Sequence, residues 1–173
     1  MIGVYKSFMA SAATPSSDQA VLEDAQQLLK AGQLKEDQGD ARGALRLYEQ
    51  CLACAQRVSD AGMAKRVEGA ALGSLGYAYN DLGQVERAIE HYTQALAISR
   101  EIGDRQNEGS ILGNLGAAYD SLGQHKRAIE HLTQSLAVGR GVGGRRGEGN
   151  RLGNLGIAYK SLGQIDRERL RVE

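Results

Sequence analysis

The chain has 173 residues, with 21 Lys plus Arg against 21 Asp plus Glu, so its formal charge of zero gives no global attraction to nucleic acid or an anionic membrane. One Phe, no Trp and 5% aromatic residues exclude an aromatic-filled core, leaving Ala, Leu, Ile and Gly to do the packing. No apolar run approaches the roughly 18 residues that membrane insertion requires, and two cysteines make no disulfide framework and fit a reducing, cytoplasmic setting.

In chain order, residues 1–17 are rich in Ser and Ala and carry Lys6 but no acid. Gly3, Lys6, Ser7 and Ser11 interrupt the apolar stretch that a secretory leader needs, and an Arg-rich transit peptide has no counterpart here. The expectation is an unstructured or weakly ordered tail, with a weak organelle address as the alternative.

Everything after the tail repeats. Leu72–Gly76 reads LGSLG, and LGNLG stands 40 residues on, at Leu112–Gly116, and again at Leu152–Gly156. Ala78-Tyr79, Leu82-Gly83-Gln84 and Arg87–His91 return with the same spacing. Each unit reads as two helices. In the first, Leu72, Leu75, Tyr79 and Leu82 form one apolar stripe, closed by Gly83. In the second, Ala88, Ile89, Tyr92, Ala95, Leu96 and Ile98 form the buried side. A divergent earlier unit matches at a spacing of 44, with Leu28 on Leu72, Gly32 on Gly76 and residues 39–52 on 83–96. The extra residues fall in the connection around Ser59 to Arg66. The units run about 18–60, 64–104, 105–144 and 145–173, the last incomplete. No segment alternates like a half-buried strand. The fold class expected is all-α, about seven helices plus a short carboxyl-terminal one, with no β-sheet.

Leu72, Leu75-Gly76, Tyr79, Ala88, Tyr92 and Ala95, with their equivalents in the next unit, resemble the tetratricopeptide repeat family over about residues 18–173. The 40-residue period and the Ile102–Arg105 connection are similar to the long-repeat type of the LGN/Pins adaptors and, more loosely, kinesin light chain. The resemblance implies a right-handed α-solenoid of antiparallel helix pairs whose first helices line a concave groove. It also implies binding of a protein or peptide partner rather than catalysis. Stacking is required physically in any case, because a lone helix pair cannot bury its apolar side.

Residues off the apolar stripe of each first helix are the groove candidates. They include Ser74, Tyr77 and Asn80 in one unit, Asn114 and Asp120 in the next, and Asn150, Arg151 and Asn154 in the last. An amide side chain both donates and accepts, so Asn114 and Asn154 could hold an extended peptide backbone of any sequence. The resembling repeats use an asparagine ladder here; Ser74 removes one rung. The competing reading is an ordinary solvated face. Gly73, Gly113 and Gly153 cost helix stability, and either close ligand approach, tight packing or simple duplication accounts for them. Arg140, Arg145 and Arg146, with Arg151, form a local basic cluster suited to acidic groups or merely to solvent.

Other patterns carry no chemistry. Gly139, Gly141 and Gly144 spell GxGxxG at a helix end, not after a strand. Cys51 and Cys54 form one CxxC without the further ligands zinc needs. No metal or cofactor is expected. Glu168 and Arg169 replace Ala128 and Ile129 in the last unit, so Leu155, Tyr159 and Leu162 leave an apolar stripe open to self-association or a partner. The function expected is a non-catalytic protein-interaction module. The alternatives are a structural or oligomerisation module using the array end, or a fragment of a larger signalling protein.

Overall fold

A computed structural model describes the backbone of residues 17–141 and 145–172, and the side chains of 17–141 and 148–163. The expected tail thus lies outside the described residues except Ser17, which opens the first helix. The described residues form seven helices: α1 Ser17–Asp37, α2 Ala41–Ala55, α3 Ala61–Asp81, α4 Val85–Glu101, α5 Arg105–Ser121, α6 His125–Gly141 and α7 Arg145–Val172. Among the described residues there is no strand. The architecture is an all-α solenoid in which each helix packs on its chain neighbours and barely touches any beyond them.

Short-range chemistry sets the helix ends. Asp40, Asp60 and Asp104 cap α2, α3 and α5 by accepting from the backbone N–H of Gly43 (2.9 Å), Met63 (2.7 Å) and Asn107 (3.0 Å). Gly83 and Gly123 stop α3 and α5 in the left-handed conformation, both at φ 71°. Gly83 N–H then donates to Asn80 O and Gln84 N–H to Tyr79 O, each at 2.9 Å, satisfying carbonyls the helix end would leave bare. The longer connection before α3 is pinned by Asp18, whose carboxylate accepts from the N–H groups of Ser59 and Asp60 at 2.9 and 3.1 Å.

Each pair closes by one contact type. An ideal Cβ on Gly76 would stand 2.6 Å from the Tyr92 ring, one on Gly116 2.5 Å from Leu132 Cγ, and one on Gly32 would clash with Cε1 of the Tyr48 ring. The missing side chain lets a large residue of the second helix lie directly against the first helix's backbone. Ala78, Ala88, Ala95 and Ala128, all at 0% exposure, narrow the same seams. Leu72, Leu112 and Leu115 join Tyr92 and Leu96 in a core that runs across unit boundaries. At about 1.5–3 kcal/mol for each fully buried large side chain, stacking supplies what a single pair lacks.

The short final helix expected beyond Gln164 is not a separate element. α7 continues through Gly163 to Val172 as one helix of 28 residues. In earlier units, closure at Gly83 and Gly123 is followed by a return helix whose Ala88 or Ala128 is fully buried against its partner. Glu168 and Arg169 replace that apolar edge in the sequence, so nothing draws the chain back.

Candidate functional site

α1, α3 and α5, the first helices of three successive units, stand side by side. Between them lies an open trough of about 460 Å³. Its apolar floor is Leu29 and Ile111, with the Tyr48 ring beneath. Its walls carry Gln33 and Glu36 from α1, Ser74 and Tyr77 from α3, and Asn107, Ser110 and Asn114 from α5. Gly69, Ala70 and Gly73 line its α3 side. A Cβ on Gly73 would meet no atom within 4 Å, so packing gives no reason for a glycine there and the backbone lies open to the trough. Gly113 differs, since its Cβ would approach Ser135 Oγ at 3.3 Å, while Gly153 faces open space.

The α1 end of the trough opens into an acidic recess lined by Gln33, Glu36, Asp37, Tyr77 and Asp81. Two elements line it. α1 brings Glu36 and Asp37 into its last turn. α3 brings Tyr77 and Asp81, one turn apart. Next to it, in the trough, lies Tyr48 of α2, whose ring passes under Gly32 because no side chain blocks it there. Tyr48 is 0% exposed; its hydroxyl and Glu36 Oε1 lie beside each other, and among the described residues neither makes a hydrogen bond of ordinary geometry. Burial pushes the Glu36 carboxyl above the ordinary value. The Tyr48 hydroxyl beside it acts in the opposite sense, while Asp81 and Asp37 push it up further. Burial also raises the Tyr48 phenol, and the nearby Glu36 charge adds to it. The Tyr92 phenol is raised by burial first, then by Tyr77 and Glu36.

The sequence-derived candidates separate. Ser74, Tyr77 and Asn114 meet at the trough, and Tyr77 is 50% exposed. Asn80 is exposed on α3 but outside that lining. Asp120 is engaged by His125 Nδ1 at 2.6 Å. Asn150 and Asn154 stand on α7, exposed and half-buried, away from the trough. Arg151 donates from Nε to Ser135 Oγ at 2.8 Å, and Ser135 donates to the Gly109 carbonyl, so this guanidinium lies in the α5–α6–α7 seam. Arg140 pairs with Glu148 at 2.9 Å. The side chains of Arg145 and Arg146 lie outside the described residues.

Gln33, Glu36 and Tyr48 were missed as site residues. The 44-residue offset contained the signal, because it places Glu36 on Asn80 and Tyr48 on Tyr92. The repeat of Arg87–His91 also has a contact that the sequence pattern does not show. His91 stacks on Tyr79 and His131 on Tyr119, with centroids 5.1 and 5.2 Å apart. Arg87 and Arg127 lie over the same two tyrosine rings. Burial depresses both imidazoles below the ordinary histidine value.

Cys51 and Cys54 are free and buried, and Cys51 Sγ lies 3.5 Å from the Ala25 carbonyl. Among the described residues no group of three or more His, Cys, Asp or Glu is placed to hold a metal ion. No described helix is long and apolar enough to cross a membrane.

Two family models, both described as tetratricopeptide repeat, match residues 67–141 and 25–61. No curated protein sequence matches the chain. Solved structures do. Aspartyl phosphate phosphatase F from Bacillus subtilis is similar at a TM-score of 0.76 and 18% identity, over 84% of this chain and 37% of that one. BtubC from P. vanneervenii gives 0.68 and 24%, over 89% and 67% of the two chains. TPR-like repeats assigned to kinesin light chain in Podosopora anserina give 0.69 and 23%, over 82% and 68%. The chain therefore spans little more than a third of the phosphatase. At these identities the likeness is one of fold.

Proposed function

Because the chain belongs to the tetratricopeptide repeat family, a family of protein-interaction modules, we propose that it binds an extended segment of a protein partner in the trough between α1, α3 and α5. The observation that carries this reading is the composition of the trough. Amide and hydroxyl groups of Gln33, Ser74, Ser110 and Asn114 rise from an apolar floor, beside a glycine with no neighbour to accommodate. Such groups hydrogen-bond a peptide backbone irrespective of its sequence, while the open shape suits an extended chain better than an enclosed small molecule. The α7 position of Asn154 makes Asn114, with Gln33 and Ser110, the centre of the proposed contact. The test is capture of partners from cell extract by the wild-type chain and by Asn114→Asp, with helicity first shown to be equal. Partners lost with Asn114→Asp support the trough. Partners retained unchanged refute it.

A second reading, self-assembly through the array end, has its own observation. Leu152 and Tyr159, seven residues apart and so on one face of α7, are 46% and 55% exposed. Apolar side chains grouped in this way mark an association surface. A molecular mass that rises with concentration, and ceases to do so in Leu152→Ser/Tyr159→Ser, is its expected signature.

A further inference from the structure

The acidic recess gives the partner a chemistry. We propose that the α1 end of the groove receives one basic side chain, Lys or Arg, of the bound segment. This rests on the groove reading above and makes it more specific.

Three observations converge. First, Glu36, Asp37 and Asp81 share the recess, and none of the residues lining it or the adjoining trough is Lys or Arg. Lys35, next to Glu36 in α1, is already paired with Asp40 at 3.2 Å. The negative charge is therefore unanswered within the recess. Second, where the recess joins the trough, the Tyr48 hydroxyl oxygen and Glu36 Oε1 lie beside each other, both buried, and among the described residues neither is in a hydrogen bond of ordinary geometry. An ammonium or guanidinium carries donors only, and a turn of the Glu36 carboxylate toward the recess would give it the partner it lacks. Third, the carboxylates are not clustered as metal ligands. Spread charge of this kind fits a long, many-donor organic cation better than a compact ion. Tyr77, half exposed at the rim, offers an aromatic face to the cation or its alkyl stem.

The repeat also gives a direction. The positions equivalent to Glu36 in later units are Asn80, Asp120 and Lys160. Asp120 is occupied by His125. Charge along these positions thus runs from unanswered acid at α1 to a lysine on α7, so the basic residue belongs at the α1 end of the segment.

The experiment is panning of a phage-displayed random dodecapeptide library on the full chain. The strongest peptides are then synthesised, with their basic residue intact or replaced by norleucine. Enrichment of Lys or Arg at one fixed position is expected. Norleucine should cost about tenfold or more in Kd, the order set by a charge-assisted contact. On Glu36→Gln/Asp81→Asn the native peptide should lose as much, and norleucine should then cost little further, which is the coupling a direct contact requires. Peptides that lose binding with Asn114→Asp yet hold no fixed basic residue, or tolerate norleucine, overturn the cation reading and leave the groove standing. Failure to enrich any peptide, or binding indifferent to Asn114→Asp, overturns both. The norleucine comparison uses the unaltered protein, so it stands even if the double variant folds poorly.

Discussion

Two glycines one turn apart in α3 provide a paired test of the packing argument. Gly73→Ala and Gly76→Ala are the same chemical change in the same helix, and each gains the roughly 1 kcal/mol by which alanine exceeds glycine in helix interiors. They differ in what the methyl group meets. At position 73 there is nothing within 4 Å, whereas at 76 the new Cβ would sit 2.6 Å from Tyr92 Cδ1 and Cε1 and 3.0 Å from Cγ. Tyr92 is 2% exposed and packed among Leu72, Leu96 and Leu112, so its ring cannot retreat without disturbing the core. Overpacking of this kind costs about 1–3 kcal/mol. Because the propensity gain cancels in the comparison, Gly73→Ala should exceed Gly76→Ala in stability by that same 1–3 kcal/mol. For a domain of this size the difference corresponds to roughly 2–12 °C in Tm. Thermal melts followed by far-ultraviolet circular dichroism measure it directly. Equal midpoints, or a more stable Gly76→Ala, would refute the account of why the pair closes at that residue. Gly73→Ala carries a further consequence, since it should weaken partner binding while raising stability.

Three other outcomes are expected. His91 and His131 are depressed below 6.5 by burial in the folded chain, so the unfolded state takes up protons first and stability is lost as pH falls through the folded pKa. The loss should appear on the acid side of about pH 6.5. Charges around these rings (Glu90, Glu49 and Arg87 for His91; Glu130, Arg100 and Arg127 for His131) modify it, and the raised Glu36 carboxyl acts in the opposite sense. Melting His91→Phe/His131→Phe in a Glu36→Gln background should show a flatter pH dependence than Glu36→Gln alone; an unchanged slope there would count against it. Glu108, 4% exposed and held by Arg100 at 3.0 Å and Arg105 at 2.6 Å, should cost about 1 kcal/mol on change to Gln, because both guanidinium groups are half exposed and water takes up part of the loss. Urea denaturation reads that cost, and no shift in midpoint would show the pairs to be idle. Tyr159→Ser should leave stability nearly unchanged, since the side chain is 55% exposed, while Tyr92→Ser should cost several kcal/mol; similar costs would mean that Tyr159 is covered in solution.

The sequence made the repeated parts legible because three copies of LGxLG and of Ala-Tyr fixed the register, and register fixes which side of each helix is buried. Ala78, Leu112 and Leu132 follow from it without further information. The recess at Glu36 did not, for a physical reason: the buried Glu36 Oε1 lies beside the Tyr48 hydroxyl where Tyr48 crosses beneath Gly32, a contact between helices that no pattern within one helix displays. Gly163 teaches a related lesson. At Gly83 and Gly123 a glycine closes the helix, but it does so together with a return segment that has an apolar edge to bury. Without that edge the same residue lies inside a continuous helix. Arg151 shows the converse, since its place off the apolar stripe suggested the groove, while Ser135 and the small residues Gly109 and Gly139 open a seam that takes it in.

Helices that touch almost none but their chain neighbours give the molecule the mechanics of a chain of links in series. A load applied across the array is carried by every interface at once, and the weakest link yields while the others hold. Release of one 40-residue unit would add up to about 130–140 Å of contour length. A stretched molecule should therefore lengthen in discrete steps, one helix pair at a time, and recover in the reverse order when the force is withdrawn.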